Sequence, residues 1–200
     1  MTIRFVLASE SPARRETLLR AGVVPEVIVS GVDESTITAD TPAALVQELA
    51  NAKALVVSKR LRGEALVLGC DSILELDGEA LGKPVTIDAA VAYWQRMRGR
   101  KGILHTGHCL IDCAAERVAM SAVSTIVHFS DITDEEIEVY CSSGEPSNVA
   151  GAFTIDGFGG WFVDMIEGDH HTVVGLSLPL LRRLLRELNF GLPDLGYPTP

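Results

Sequence analysis

The sequence predicts an α/β or α+β chain built around a mixed sheet. Helical stripes preceded by N-cap residues recur along the chain, a β-hairpin turns at Asp77-Gly78, and two long β-rich runs, 103–114 and 117–129, sit either side of CAAER. Helices, hairpin and long strands are interspersed rather than segregated, and no internal repeat is present, so helices must cover a sheet that mixes strand directions. A chain of 200 residues without a long linker suits one domain or two closely joined lobes, and we take residues 1–200 as a single domain.

The elements follow in order. The apolar run IRFVLA, residues 3–8, reads as a buried strand. Ser11 can cap the next helix and Pro12 can begin it, since proline lacks only an N–H that would be unpaired there, and Gly22 is a natural stop. EVIVS reads as a second short strand, leading into the polar loop GVDESTITAD. Thr41 and Pro42 repeat the cap-and-proline pattern. Beyond them Leu45, Leu49, Ala52 and Val56 recur at helical spacing. ALVLGCDSILELDGEALGKP reads as a strand and a hairpin, because Asp-Gly tolerates the positive φ of a tight turn. A helix over 87–98 ends near Gly99, and the two long strands follow. Thr133 and Glu136 form a capping box, with Ile132 and Ile137 placed as its hydrophobic staple. VAGAFTIDGFGGWFVDMIEGD is Gly-rich and strand-like, and LSLPLLRRLLREL is a last amphipathic helix. The Pro- and Gly-rich tail from about residue 190 to 200 is expected to be loose.

Composition narrows the function. The formal net charge of −10 excludes a general binder of nucleic-acid polymers, which needs an exposed basic surface. A small anion needs only a local cluster of Lys and Arg. No stretch is long and apolar enough to span a membrane, and the N-terminus lacks the apolar region of a signal peptide. Four cysteines, Cys70, Cys109, Cys113 and Cys141, form no CxxC pair and fit reduced thiols of the cytoplasm. The histidines of HTGH and HH lack the helical i, i+4 spacing of a zinc pair.

Polar groups gather where strands end. In LASESPARRETLLRAG, Arg14 and Arg15 occupy the first turn of a helix, where the macrodipole is already positive. A phosphate would offset them, cradled by Ser9, Ser11 and the helix N–H groups; a capped surface helix with solvated arginines is the plainer reading. The G-x-x-x-x-G-K-[ST] pattern of a Walker-type NTPase is absent. Asp33-Glu34 lies in a loop and is by itself an ordinary acidic turn. Asp71 ends the apolar run LVLGC, where a carboxylate is costly to bury unless paired or bound to metal. Lys83 ends the hairpin and Lys53 sits on its helix one turn beyond Leu49; either could be aimed at a ligand or solvated. Together, two acids and several cations suggest metal-assisted phosphoryl chemistry.

A set of ordered blocks goes further. The opening LASESPARR, GVDES, LANAKA, GCDSILELDGEALGKP, HTGH and AGAFTIDGFGGWFVDMIEGD, with VVGLSLPLL after it, resemble the Maf family, the septum-formation-inhibitor-like nucleoside triphosphate pyrophosphatases, over nearly the whole chain. The resemblance implies an α/β fold with a mixed twisted sheet, flanking helices and two lobes around a central cleft, often in a homodimer. It implies hydrolysis between the α- and β-phosphates to a nucleoside monophosphate and pyrophosphate, clearing non-standard or modified nucleotides. By position it makes Asp71 the proton acceptor. It makes Glu34 and Asp71 the ligands of Mg²⁺ or Mn²⁺, and it turns Ser9, Arg14, Lys53 and Lys83 toward the triphosphate. Ala13, Ser72 and Asp156 stand at positions associated with base choice, and each departs from the family's common residues. A non-catalytic nucleotide-binding regulator of cell division is the rival reading, and the retained acids argue against it. An aspartyl phosphatase would need a D-x-D pair where this chain has ASES.

Overall fold

The computed structural model describes residues 2–197. In chain order the main elements are β1 (Arg4–Leu7), α1 (Pro12–Arg20), β2 (Glu26–Val27), α2 (Pro42–Ser58), β3 (Ala65–Leu76), β4 (Glu79–Leu81), α3 (Ile87–Met97), β5 (Lys101–Asp112), β6 (Arg117–Phe129), α4 (Asp134–Ser142), β7 (Val163–Glu167), α5 (His170–Val174) and α6 (Leu178–Glu187). Seven strands pair in the order β2-β1-β3-β5-β6-β7, with β4 on β3. The sheet is mixed, as expected: β1 runs parallel to β2 and β3, while β4 on β3 and β7 on β6 are antiparallel.

The chain divides into two compact units. Of the described residues, the first holds 2–71, Thr106–Val123 and 175–197. One core there packs Leu18 of α1 and Leu180, Leu181, Leu184 and Leu185 of α6 on Leu66, Leu68 and Cys70. A second core packs Ala50, Ala54 and Val57 of α2 on Val6, Val67 and Cys109. The strand alternation explains the split, since even and odd residues of β3 face opposite ways. Helix α2 lies close on the sheet: a Cβ on Gly69 would come within 2.2 Å of Ala50 O, and one on Gly107 within 2.2 Å of Val46 O. Only glycine allows this approach.

The second unit holds Ser72–His105 and Ser124–Val174. Its core gathers Trp94 of α3, Tyr140 of α4, Phe129, Phe153 and Phe162, with rings meeting edge to face at 5.0–5.7 Å. Asp77 and Gly78 both take positive φ, 56° and 83°, as a type I′ hairpin turn requires. The capping box at α4 forms as read, and Ile132 and Ile137 are both buried in this core.

Four readings need correction. The buried face of α2 is Val46, Leu49, Ala50, Lys53, Ala54 and Val57, so of the stripe Leu45–Leu49–Ala52–Val56 Leu49 alone is buried and the other three lie half-buried at the flank of the core. The strand expected over EVIVS shortens to Glu26–Val27. The Gly-rich stretch before β7 is not a strand but helical turns at Ala150–Ala152 and Phe158–Phe162. The tail is not loose up to Tyr197: Leu192–Leu195 forms a helical turn, Leu195 is buried, and Asp194 O accepts the Ile3 N–H at 2.8 Å. Residues 198–200 of that tail lie outside the described residues.

Candidate active site

The first unit assembles most of the predicted polar groups. Asp71 lies on β3 just beyond Ala65–Leu68, the run that pairs with β1, and the odd-numbered face of that strand turns it toward α2. Lys53 lies on the buried face of α2, so its ammonium meets the carboxylate there. Lys53 Nζ is 2.5 Å from Asp71 Oδ1 and 2.7 Å from Glu34 Oε1. The reading of Lys53 as a solvated flank residue fails because α2 is rotated relative to the expected stripe.

Glu34 comes to this point through its neighbour. Asp33 caps the turn Glu34–Thr36, its Oδ1 accepting the Ser35 N–H at 3.1 Å and the Ser35 hydroxyl at 2.6 Å. The Ser35 hydroxyl and N–H hold the Asp33 carboxyl below the usual carboxylate range. The Asp33-Glu34 pair therefore divides its work: one acid shapes the turn and the other reaches the lysine. Upstream, Arg60 donates to Val29 O at 3.1 Å and Ser30 O at 2.6 Å, tying this loop to the end of α2. Arg60 was missed in the sequence, where it is one more basic residue after a helix.

Arg14 does not extend outward from its helical turn. It is buried, and its guanidinium donates to Gly175 O at 2.8 Å, Cys70 O at 2.9 Å and Ser9 Oγ at 3.1 Å. The negative ends of two peptide dipoles offset the cation that the helix dipole disfavours. Ser9 Oγ also accepts the Ser11 N–H at 3.2 Å, and Ser11 caps α1 through the Arg14 N–H. With both Ser9 lone pairs engaged, its O–H is oriented to donate. Arg15 is exposed.

A second missed residue stands behind Arg14. His108 is fully buried, and its Nε2 accepts the Ser177 N–H at 2.8 Å while Nδ1 faces Thr106 O at 3.2 Å. A backbone N–H aimed at Nε2 requires that nitrogen to be unprotonated. The ring thus pins the segment that supplies Gly175 O to Arg14. Cys70 is buried beside this network, which pushes its thiol up to about 12 and leaves it a packing residue.

The structure therefore brings together Ser9, Arg14, Glu34, Lys53 and Asp71, with Ala13 half-buried beside Arg14. Ser72, Lys83 and Asp156 belong to the second unit. There Ser72 is half-buried on β3, Lys83 is exposed after β4, and Asp156 is exposed in the bend before Phe158. Two carboxylates converging on one positive centre, beside a hydroxyl and helix N–H groups, can bind a cation with a polyanion and orient a water.

A family model described as Maf-like protein matches residues 4–188. A nucleoside triphosphate pyrophosphatase of Salinispora tropica is 55% identical over 210 residues, covering 100% of this chain and 93% of the relative. One of Streptomyces coelicolor is 56% identical over 198 residues, covering 98% and 96%. Among solved structures, the Ham1 protein of Staphylococcus aureus superposes with a TM-score of 0.45 at 13% identity, covering 93% of this chain and 100% of that one.

Proposed function

The chain belongs to the Maf family and is a nucleoside triphosphate pyrophosphatase; from that premise we propose that its reaction runs at the cluster of Asp71, Lys53 and Glu34. The observation that carries this is the convergence of both carboxylates on Lys53 Nζ, at 2.5 and 2.7 Å. Water attacks the α-phosphorus, and its proton passes to Asp71. The bond from the α-phosphorus to the α–β bridging oxygen breaks, and pyrophosphate leaves with that electron pair. Nucleoside monophosphate remains. Asp71 suits the task because Lys53 holds it in one orientation, and a base must be positioned before its strength matters.

The donor set fits a hard divalent cation. Glu34 and Asp71 offer only oxygens, one from each meeting Lys53 Nζ, so an ion would take carboxylate oxygens beside that ammonium; among the described residues no three His, Cys, Asp or Glu side chains gather into a metal cage. Two carboxylates completed by water and phosphate oxygens suit Mg²⁺ or Mn²⁺ better than a protein-enclosed Ca²⁺ site. When bound, such an ion draws negative charge from the phosphates.

The remaining roles belong to this chain. Ser9 donates its O–H to a phosphate oxygen. Arg14 holds Ser9 and Cys70 of β3 in register, so the first-turn N–H groups of α1 form an anion cradle. Lys83, carried by the LGKP motif, neutralises the departing pyrophosphate. Ala13, Ser72 and Asp156 read the base. No helix is long and apolar enough to cross a membrane among the described residues, and the four cysteines are free. We place the protein in the cytoplasm, as free thiols fit a reducing compartment.

A panel of ordinary and modified nucleoside triphosphates, assayed for pyrophosphate with Mg²⁺ or Mn²⁺, tests the reading. Pyrophosphate in step with the monophosphate is the expected result. Orthophosphate in its place, or no product from any nucleotide, overturns it.

A further inference from the structure

Glu145 has no part in the reaction just described, yet its carboxylate is closely wrapped. Oε1 accepts from Tyr140 Oη at 2.9 Å, Thr154 Oγ1 at 2.7 Å and the Gly159 N–H at 2.9 Å, while Oε2 accepts from the Phe158 N–H at 2.9 Å. Burial pushes this carboxyl up, but the Thr154 hydroxyl, the two backbone N–H groups and the Tyr140 hydroxyl outweigh it and hold the group below its usual range. All these groups lie in the second unit.

Three of the four donors are the two feet of one loop. Thr154 is its start and Phe158-Gly159 its end, and Asp156 and Gly157 are exposed between them. The backbone passes so near the carboxylate that a Cβ on Gly157 would lie 2.5 Å from Glu145 Oε2. One on Gly159 would lie 2.4 Å from Tyr140 Oη. A Cβ on Gly159 would also lie 2.6 Å from the backbone Thr154 O, so glycine is required there, whereas at Gly157 it would press on the side-chain tips of Glu145 and Thr154. The root of the loop is held separately. Trp94 Nε1 donates to Ala152 O at 2.8 Å, and the Gly151 N–H donates to Gly82 O at 3.1 Å, next to Lys83. Below the loop, the Tyr140 ring packs against Phe158 and Phe162. The root and the rings anchor the chain whatever residue 145 is; the carboxylate joins the two feet directly, together with the Tyr140 hydroxyl, which donates to it and accepts the Thr154 N–H at 3.3 Å.

We propose that Glu145 is a positioning residue for base selection, fixing the Thr154–Gly159 loop so that Asp156 is presented to the nucleobase in one geometry. This rests on the reading that Asp156 faces the base. A loop held at both feet discriminates because its polar groups cannot shift to satisfy a mismatched edge. Glu145→Gln tests it with little change of shape, since the amide nitrogen brings a donor against donors where Oε2 now accepts.

The experiment measures kcat and KM for GTP, 7-methyl-GTP, UTP and dTTP on the parent, Glu145→Gln, Glu145→Asp and Asp156→Gln, with thermal melting of each. In Glu145→Gln the ratio of kcat/KM between the best and worst nucleotide should fall about tenfold, carried mainly by KM of the best. Glu145→Asp, which keeps the charge, should recover part of it. A parallel fall for all four nucleotides with the ratio unchanged means a purely structural role and overturns the proposal. So does a parent that uses all four alike. A ratio that collapses in Glu145→Gln but not in Asp156→Gln supports the positioning role of Glu145 and removes only Asp156 as the reader of the base. The reverse result keeps Asp156 and overturns Glu145.

Discussion

Lys53 Nζ lies 2.5 Å from Asp71 Oδ1, and the two side chains are only 10% and 11% exposed. A buried pair of this kind adds little over an apolar pair, but losing one partner strands the other charge. Lys53→Met should therefore destabilise the fold by about 3 kcal/mol, toward the lower end for broken buried pairs. Lys53→Met with Asp71→Asn should recover much of that loss. Urea unfolding of the two variants decides it; equal midpoints would show that Asp71 is not left stranded.

Asp71→Asn keeps the shape and an acceptor for Lys53 but cannot take a proton and is a poor metal ligand. Its turnover should fall at least about a hundredfold with the fold intact. Glu34→Ala should lower activity, and chelation of divalent cations should abolish it. Retention of more than about half the parent kcat in Asp71→Asn ends its assignment as the base, and full activity in excess EDTA removes the ion.

Arg14 and Lys83 should separate. Each substitution to Ala removes charge-assisted contacts worth roughly 1.5–3 kcal/mol. Arg14 makes its contacts inside the protein, to Ser9, Cys70 O and Gly175 O, so Arg14→Ala should lower both Tm and kcat/KM. Exposed Lys83→Ala should lower kcat/KM alone. Arg14→Lys should not rescue, because an ammonium cannot span three acceptors as a planar fork does. Unchanged kcat/KM in Lys83→Ala, or an unchanged Tm in Arg14→Ala, contradicts these roles.

Asp156, when ionised, only accepts hydrogen bonds, so it suits an edge with adjacent donors such as guanine N1–H and N2–H₂. Guanine-type nucleotides, 7-methyl-GTP among them, should outperform UTP and dTTP, and Asp156→Gln should move preference toward the pyrimidines. The small side chains of Ala13 and Ser72 leave room for a bulkier base. A parent protein that works best on UTP or dTTP refutes this argument about Asp156 while leaving the pyrophosphatase activity in place.

The features legible in the sequence are those closed over a few residues. Ser11, Thr41 and Thr133 cap helices because each hydroxyl reaches an N–H three residues on, and Asp77-Gly78 turns because its own φ values are allowed. The family blocks likewise mark Glu34, Lys53 and Asp71. Tertiary packing decided what each of these side chains does. Gly69 and Gly107 let α2 settle against the sheet, and that contact, not the apolar stripe, sets which face of α2 is buried and carries Lys53 to Asp71. Arg14 turned inward because Gly175, 161 residues away, supplies the carbonyl that compensates it. The stretch before β7 reads as a strand until Glu145 is seen to gather its N–H groups. In each case a partner far along the chain chose among conformations that local preferences left nearly equal, because burial and hydrogen-bond satisfaction outweigh the small differences of intrinsic propensity.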